Sequence, residues 1–136
     1  MPVRGDSPAS SAGNFQTAHW PLEIRLQKAE RALEIDFDDG STFHYPAEFL
    51  RVESPSAEVQ GHGPGQKQLV TGRRDVGILA LEPVGNYAIR IRFDDLHDTG
   101  IFSWAYLYEI GRDRARLWAN YEAAVTADGK SRDPRA

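Results

Sequence analysis

Leu33-Glu34-Ile35-Asp36-Phe37-Asp38-Asp39-Gly40-Ser41-Thr42-Phe43-His44-Tyr45 is the stretch that decides the fold. Leu33, Ile35 and Phe37 alternate with Glu34, Asp36 and Asp38, the period-two pattern of a half-buried strand. The alternation breaks at Asp38-Asp39-Gly40 and resumes in Phe43 and Tyr45, so two registers compete. A two-residue Asp39-Gly40 loop sets Ile35 opposite His44 and leaves Phe43 and Tyr45 on the charged face. A three-residue loop with Gly40 at the left-handed bulge position pairs Ile35 with Phe43 and Leu33 with Tyr45. The second keeps the apolar residues on one face, and it is the register the pattern predicts.

Working outward, Leu22, Ile24 and Leu26 alternate with Glu23, Arg25 and Gln27 as a further strand, with residues 28–31 as the turn. Residues 46–53 read as a short helical turn whose apolar face is Phe49, Leu50 and Val52. A second hairpin is expected from strands at 76–82 and 87–93 around Gly85-Asn86, its register left open by the pattern. Ser103 caps a short helix that Gly111 is expected to end. Asp113 caps another that places Leu117, Trp118, Tyr121, Ala124 and Val125 on one face. The expected fold class is α+β: a mainly antiparallel sheet of about five strands in two hairpins, with two C-terminal helices packed on it.

The 136 residues suffice for one domain with a core, expected over 19–127, between tails at 1–18 and 128–136 too poor in apolar residues to order. Without cysteine there is no disulfide framework, thiolate metal site or cysteine nucleophile. No apolar run approaches the roughly 20 residues that span a bilayer, and no secretory leader is visible, so a cytoplasmic location is expected. Residues 19–110 carry 9 basic against 15 acidic side chains, which repels phosphate backbones, so neither nucleic acid nor membrane is an expected partner.

Two regions hold candidate chemistry. Residues 54–75 form a long loop with four glycines, the usual setting for function or mobility. Its candidate interaction residues are Ser54, Ser56, Glu58, His62, Gln66, Arg73 and Arg74. It is no phosphate loop, because Lys67 follows Gln66 rather than glycine and Gln68 stands where a hydroxyl is required. His62 reads as a ligand, a proton carrier or a solvated side chain; an enzyme acting on a small acid would need a pocket joining it to Arg73 or Arg74. The densest polar cluster is Asp94, Asp95, His97 and Asp98, in which His97, Asp94 and Asp98 would suit a divalent metal such as iron or zinc. The alternative is a turn with aspartates on backbone donors and His97 packed beside Trp104. No serine–histidine–acid arrangement emerges from sequence positions alone, and no catalytic residue is assigned.

Several strings carry a family resemblance over residues 22–110. Phe49-Leu50-Arg51-Val52-Glu53-Ser54-Pro55-Ser56-Ala57-Glu58-Val59 resembles the Trp-Leu-Arg-Asp-Asn-Cys-x-Cys-x-x-Cys segment of the N-terminal domain of gamma-butyrobetaine hydroxylase. Phe93-Asp94-Asp95-Leu96-His97 resembles its later aromatic-x-Asp-x-His stretch. The small stand-alone bacterial proteins grouped with that domain, of unknown function, are more similar still. Gly61-His62-Gly63-Pro64-Gly65-Gln66 and His97-Asp98-Thr99-Gly100-Ile101-Phe102-Ser103-Trp104 look like theirs. In the hydroxylase this domain holds zinc through three cysteines and a histidine. Here Ser54, Ser56 and Val59 stand at the cysteine positions and only His97 matches, so the resemblance implies that this zinc site is lost. The 136 residues hold no counterpart of the hydroxylase catalytic domain, so no hydroxylase activity is expected. Related domains fused to ATPases of the iron–sulfur carrier type imply an accessory role. The resulting expectation is a non-enzymatic interaction domain without a cofactor, whose partner is another protein, in iron–sulfur or metal cofactor handling. The alternative is a weak metal-binding protein using the 94–98 cluster.

Overall fold

A computed structural model describes residues 18–61 and 65–134. Strands β1 (Pro21–Gln27), β2 (Ala32–Phe37) and β3 (Thr42–Pro46) form one antiparallel sheet in that order. Ile35 faces Phe43 and Leu33 faces Tyr45, the bulged register, with Gly40 at φ 91° where a side chain would be strained. Arg25 ties the outer face together through Asp36 at 2.9 Å and Glu34 at 3.3 Å, and the Arg25 guanidinium with the Thr42 hydroxyl holds the Asp36 carboxyl down at about 2.

Helices α1 (Ala47–Val52) and α2 (Ala57–Gln60) follow, so the segment expected to be one long loop begins with a helical turn. Strands β4 (Ile78–Val84), β5 (Ala88–Phe93) and β6 (Gly100–Ser103) make a second three-stranded antiparallel sheet, and helices α3 (Trp104–Arg112) and α4 (Arg114–Ala127) complete the described chain. The fold class is α+β, but with six strands in two sheets rather than about five in one. The added strand, β6, is four residues long and pairs Ile89 with Phe102. In the β4–β5 hairpin, Val84 faces Ala88 across Gly85, Asn86 and Tyr87.

One core joins the sheets: Leu33, Ile35, Phe37 and Tyr45 from the first meet Ile89, Ile91, Phe93 and Phe102 from the second. Phe49 and Leu50 of α1 and Leu107 and Ile110 of α3 close it. Burying one such side chain stabilises the fold by about 1.5–3 kcal/mol. The buried Tyr45 hydroxyl donates to the Leu107 carbonyl at 2.6 Å, fastening β3 to α3, and burial raises its pKa.

Three local expectations are corrected by packing. Gly111 does not end α3, which runs through it to Arg112; a methyl there would meet the Phe43 ring at 2.6 Å, so this glycine lets β3 approach the helix. On α4 Leu117 and Trp118 pack half-buried beside the buried Tyr121 and Val125 as expected, but Ala124 is exposed. Residues 128–134, expected in a tail, are tied back: the Gly72 and Arg74 amides donate to the Ser131 and Arg132 carbonyls, each at 3.0 Å.

Candidate functional site

The site forms where the residues after α1 meet the turn between β5 and β6. Helix α1 ends at Val52, and the chain passes through Ser54-Pro55-Ser56 into α2, whose Val59 is buried. The Gln60 side-chain amide holds the Ser54 carbonyl at 2.9 Å. From the other side, the Phe93 amide donates to the His97 carbonyl and the Leu96 amide to the Phe93 carbonyl, a tight turn that delivers His97 inward.

His97 Nε2 lies 2.9 Å from Ser54 Oγ and 3.4 Å from Ser56 Oγ, and Nδ1 lies 3.0 Å from Glu58 Oε1. A carboxylate only accepts, so Nδ1 carries the hydrogen and Nε2 accepts from the Ser54 hydroxyl. Burial lowers the His97 pKa, the positive Arg51 adds to the effect, and Glu58 and Asp95 oppose it. The imidazole packs against Phe93, not Trp104, whose indole donates to the Asn86 carbonyl.

Beside it, Asp95 accepts from Arg51 Nε at 2.8 Å and from the His97 amide, and forms an ion pair with Arg73 at 2.7 Å. Burial opposes ionisation of Asp95, but these partners outweigh it and hold its pKa below the usual value.

Sequence reasoning assembled a different cluster. Asp94 turns away to accept the Gly77 amide at 2.9 Å, Asp98 is exposed, and among the described residues no three histidine, aspartate or glutamate side chains converge as a metal would require. Of the candidate interaction residues, Ser54, Ser56 and Glu58 meet at His97, and Arg73 meets Asp95. Arg74 instead pairs with Asp133 at 2.6 Å, Gln66 is exposed, and His62 lies outside the described residues. Arg51 was missed, although an arginine set between the apolar Leu50 and Val52 is a signal that it needs a partner if buried.

Ser54, His97 and Glu58 stand in the order of a nucleophile, base and acid, yet the accessibility is reversed. Ser54 is wholly buried, whereas the Glu58 side chain is 64% exposed. A Cβ on Gly100 would come within 2.4 Å of Ser54 Oγ, so no substrate carbonyl fits beside the hydroxyl. A cleft of about 340 Å³ between α4 and residues 67–70 contains none of the three. Nor does the donor set suit zinc: two neutral hydroxyls are engaged with an imidazole, and Val59, at the remaining position, has no donor atom.

This is a small α+β domain with a hydrogen-bonded serine–histidine cluster where the chain after α1 meets the β5–β6 turn. A family model described as gamma-butyrobetaine hydroxylase-like, N-terminal, matches residues 24–108, and the chain belongs to that family. Two solved solution structures are 47% and 44% identical; they cover 87% and 96% of this chain, and are themselves covered over 93% and 92%, with TM-scores of 0.76 and 0.75. A crystal structure from Acidithiobacillus ferrooxidans, of a DUF971-family protein of unknown function, is 42% identical over 67% of this chain and 91% of its own, with a TM-score of 0.57. No curated protein matches. None of the described helices is long and apolar enough to cross a membrane.

Proposed function

We propose that the protein is an interaction module whose contact point is the turn over the buried His97 cluster. The observation that carries this is Leu96. It is 84% exposed and sits at φ 74°, a conformation that costs a leucine about 1–2 kcal/mol and a glycine almost nothing. Its turn is fixed from beneath by the Arg51–Asp95–Arg73 pairs and by His97 on Ser54. A strained, exposed apolar side chain on a rigid base has the form of an anchor for a partner's pocket, and the exposed Glu58 supplies a polar rim.

The test is parallel affinity isolation from native cells with the parent chain and Leu96→Gly, which removes the side chain and relieves the backbone. Partners retained by the parent and lost by a variant of equal or higher melting temperature support the reading. Identical partner sets for the two chains would overturn it. The identity of those partners also decides the link to iron–sulfur or metal cofactor handling that the resemblance implies.

A further inference from the structure

We infer that the surface between α1, α4 and residues 72–74 is a second binding site, apart from the Leu96 turn, that reads an arginine within a peptide segment of a partner protein. In the free chain the site is filled by the chain's own residues 131–133.

The seating of that segment shows which chemistry the site accepts. Arg132 donates through Nε and Nη2 to the two carboxylate oxygens of Glu48, at 2.8 and 2.7 Å, a two-pronged fit that a lysine cannot make. The Glu48 side chain is only 7% exposed, so its carboxylate is shielded, while the Arg132 side chain is 25% exposed. The guanidinium carbon stands 5.1 Å from the centroid of the Trp118 ring, and Trp118 is braced edge-on against Phe49. A cleft of about 220 Å³ surrounds the contact, bounded by Pro46, Glu48, Phe49, Arg114, Trp118 and Arg132.

The backbone is read as well. The amides of Gly72 and Arg74 donate to the consecutive carbonyls of Ser131 and Arg132, the Asp133 amide turns back onto Ser131 Oγ so that the segment is seated as a bend, and Arg74 Nε donates to Asp133 at 2.6 Å. Ser131, Arg132 and Asp133 give the core no apolar side chain, so they sit on the domain as a ligand sits. The motif accepted is therefore arginine followed by an acidic residue, and the internal copy competes with any external one.

The probe is the acetylated and amidated peptide Lys-Ser-Arg-Asp-Pro, titrated into full-length chains with tryptophan fluorescence and calorimetry as readouts. Arg132→Ala should bind it with a dissociation constant at least about tenfold below the parent's, because an internal ligand that fills the site nine-tenths of the time weakens an external one tenfold. Arg132→Lys keeps the charge without the fork and serves where the alanine variant folds poorly; it should show the same gain. Binding should disappear with citrulline in place of the peptide's arginine, or when Glu48→Gln is added to either variant. Equal affinity for the parent and Arg132→Lys, no binding to either variant, or binding that survives Glu48→Gln would each overturn the inference.

Discussion

A methyl group at Gly100 would stand 2.4 Å from Ser54 Oγ and 3.0 Å from the Phe102 ring. Ser54 is wholly buried and its hydroxyl is engaged by His97 at 2.9 Å, so it can move aside only by giving up that bond. Gly100→Ala should therefore destabilise the fold by about 1–3 kcal/mol, as overpacking does. Ser54→Ala should cost about 1–3 kcal/mol on its own, by leaving the buried His97 Nε2 without its donor. In the double variant the worst clash is gone, because the Ser54 Cβ lies 3.6 Å from the new methyl and only Phe102 must shift by a few tenths of an ångström. The double variant should then fall short of the sum of the two costs by at least about 1 kcal/mol. Urea unfolding followed by tryptophan fluorescence, with a common m value for the four proteins, measures that coupling. Additivity within about 0.5 kcal/mol would refute the packing of Ser54 between Gly100 and His97.

Two further outcomes follow from the buried polar groups. The His97 pKa is lowered in the folded protein, so the unfolded chain takes up its proton first; stability is full above pH 6.5 and falls as the pH drops below it, by no more than about 1.4 kcal/mol per pH unit. Chemical denaturation between pH 7.5 and 5 should show that decline and show it reduced in His97→Gln, whereas unchanged slopes in both chains would sink the assignment. Tyr45→Phe removes the second donor to the buried Leu107 carbonyl, which keeps its bond within α3, and should lower stability by about 0.5–1.5 kcal/mol; a change below about 0.3 kcal/mol would mean that β3 is not fastened to α3 there.

The first sheet was readable because alternation and a single glycine left one register that keeps Phe43 and Tyr45 inside. The second sheet was half readable. Strand β6 offers only Ile101 and Phe102 as apolar residues before Ser103 caps α3, too few to show a period. Gly111 misled because its reason for being glycine lies in Phe43, 68 positions earlier, and not in the helix it occupies. At the site, aspartates adjacent in sequence suggested a cluster, but a tight turn sends neighbouring side chains to different partners: Asp94 to a backbone amide and Asp95 to two arginines. The grouping of Ser54 and Ser56 with His97 spans more than 40 residues, and only the family resemblance pointed to it.

The bonds that close this fold run far along the chain, with 62 positions between Tyr45 and Leu107 and 84 between Glu48 and Arg132. During synthesis at roughly 5–20 residues per second, Tyr45 emerges about 3–12 seconds before the carbonyl that accepts its hydroxyl. Over that interval β3 and α1 present Phe43, Tyr45 and Phe49 with neither α3 nor α4 to cover them. A nascent chain of this design depends on whatever shields apolar strands at the ribosome, and it reaches its native state only once Arg132 has emerged to meet Glu48.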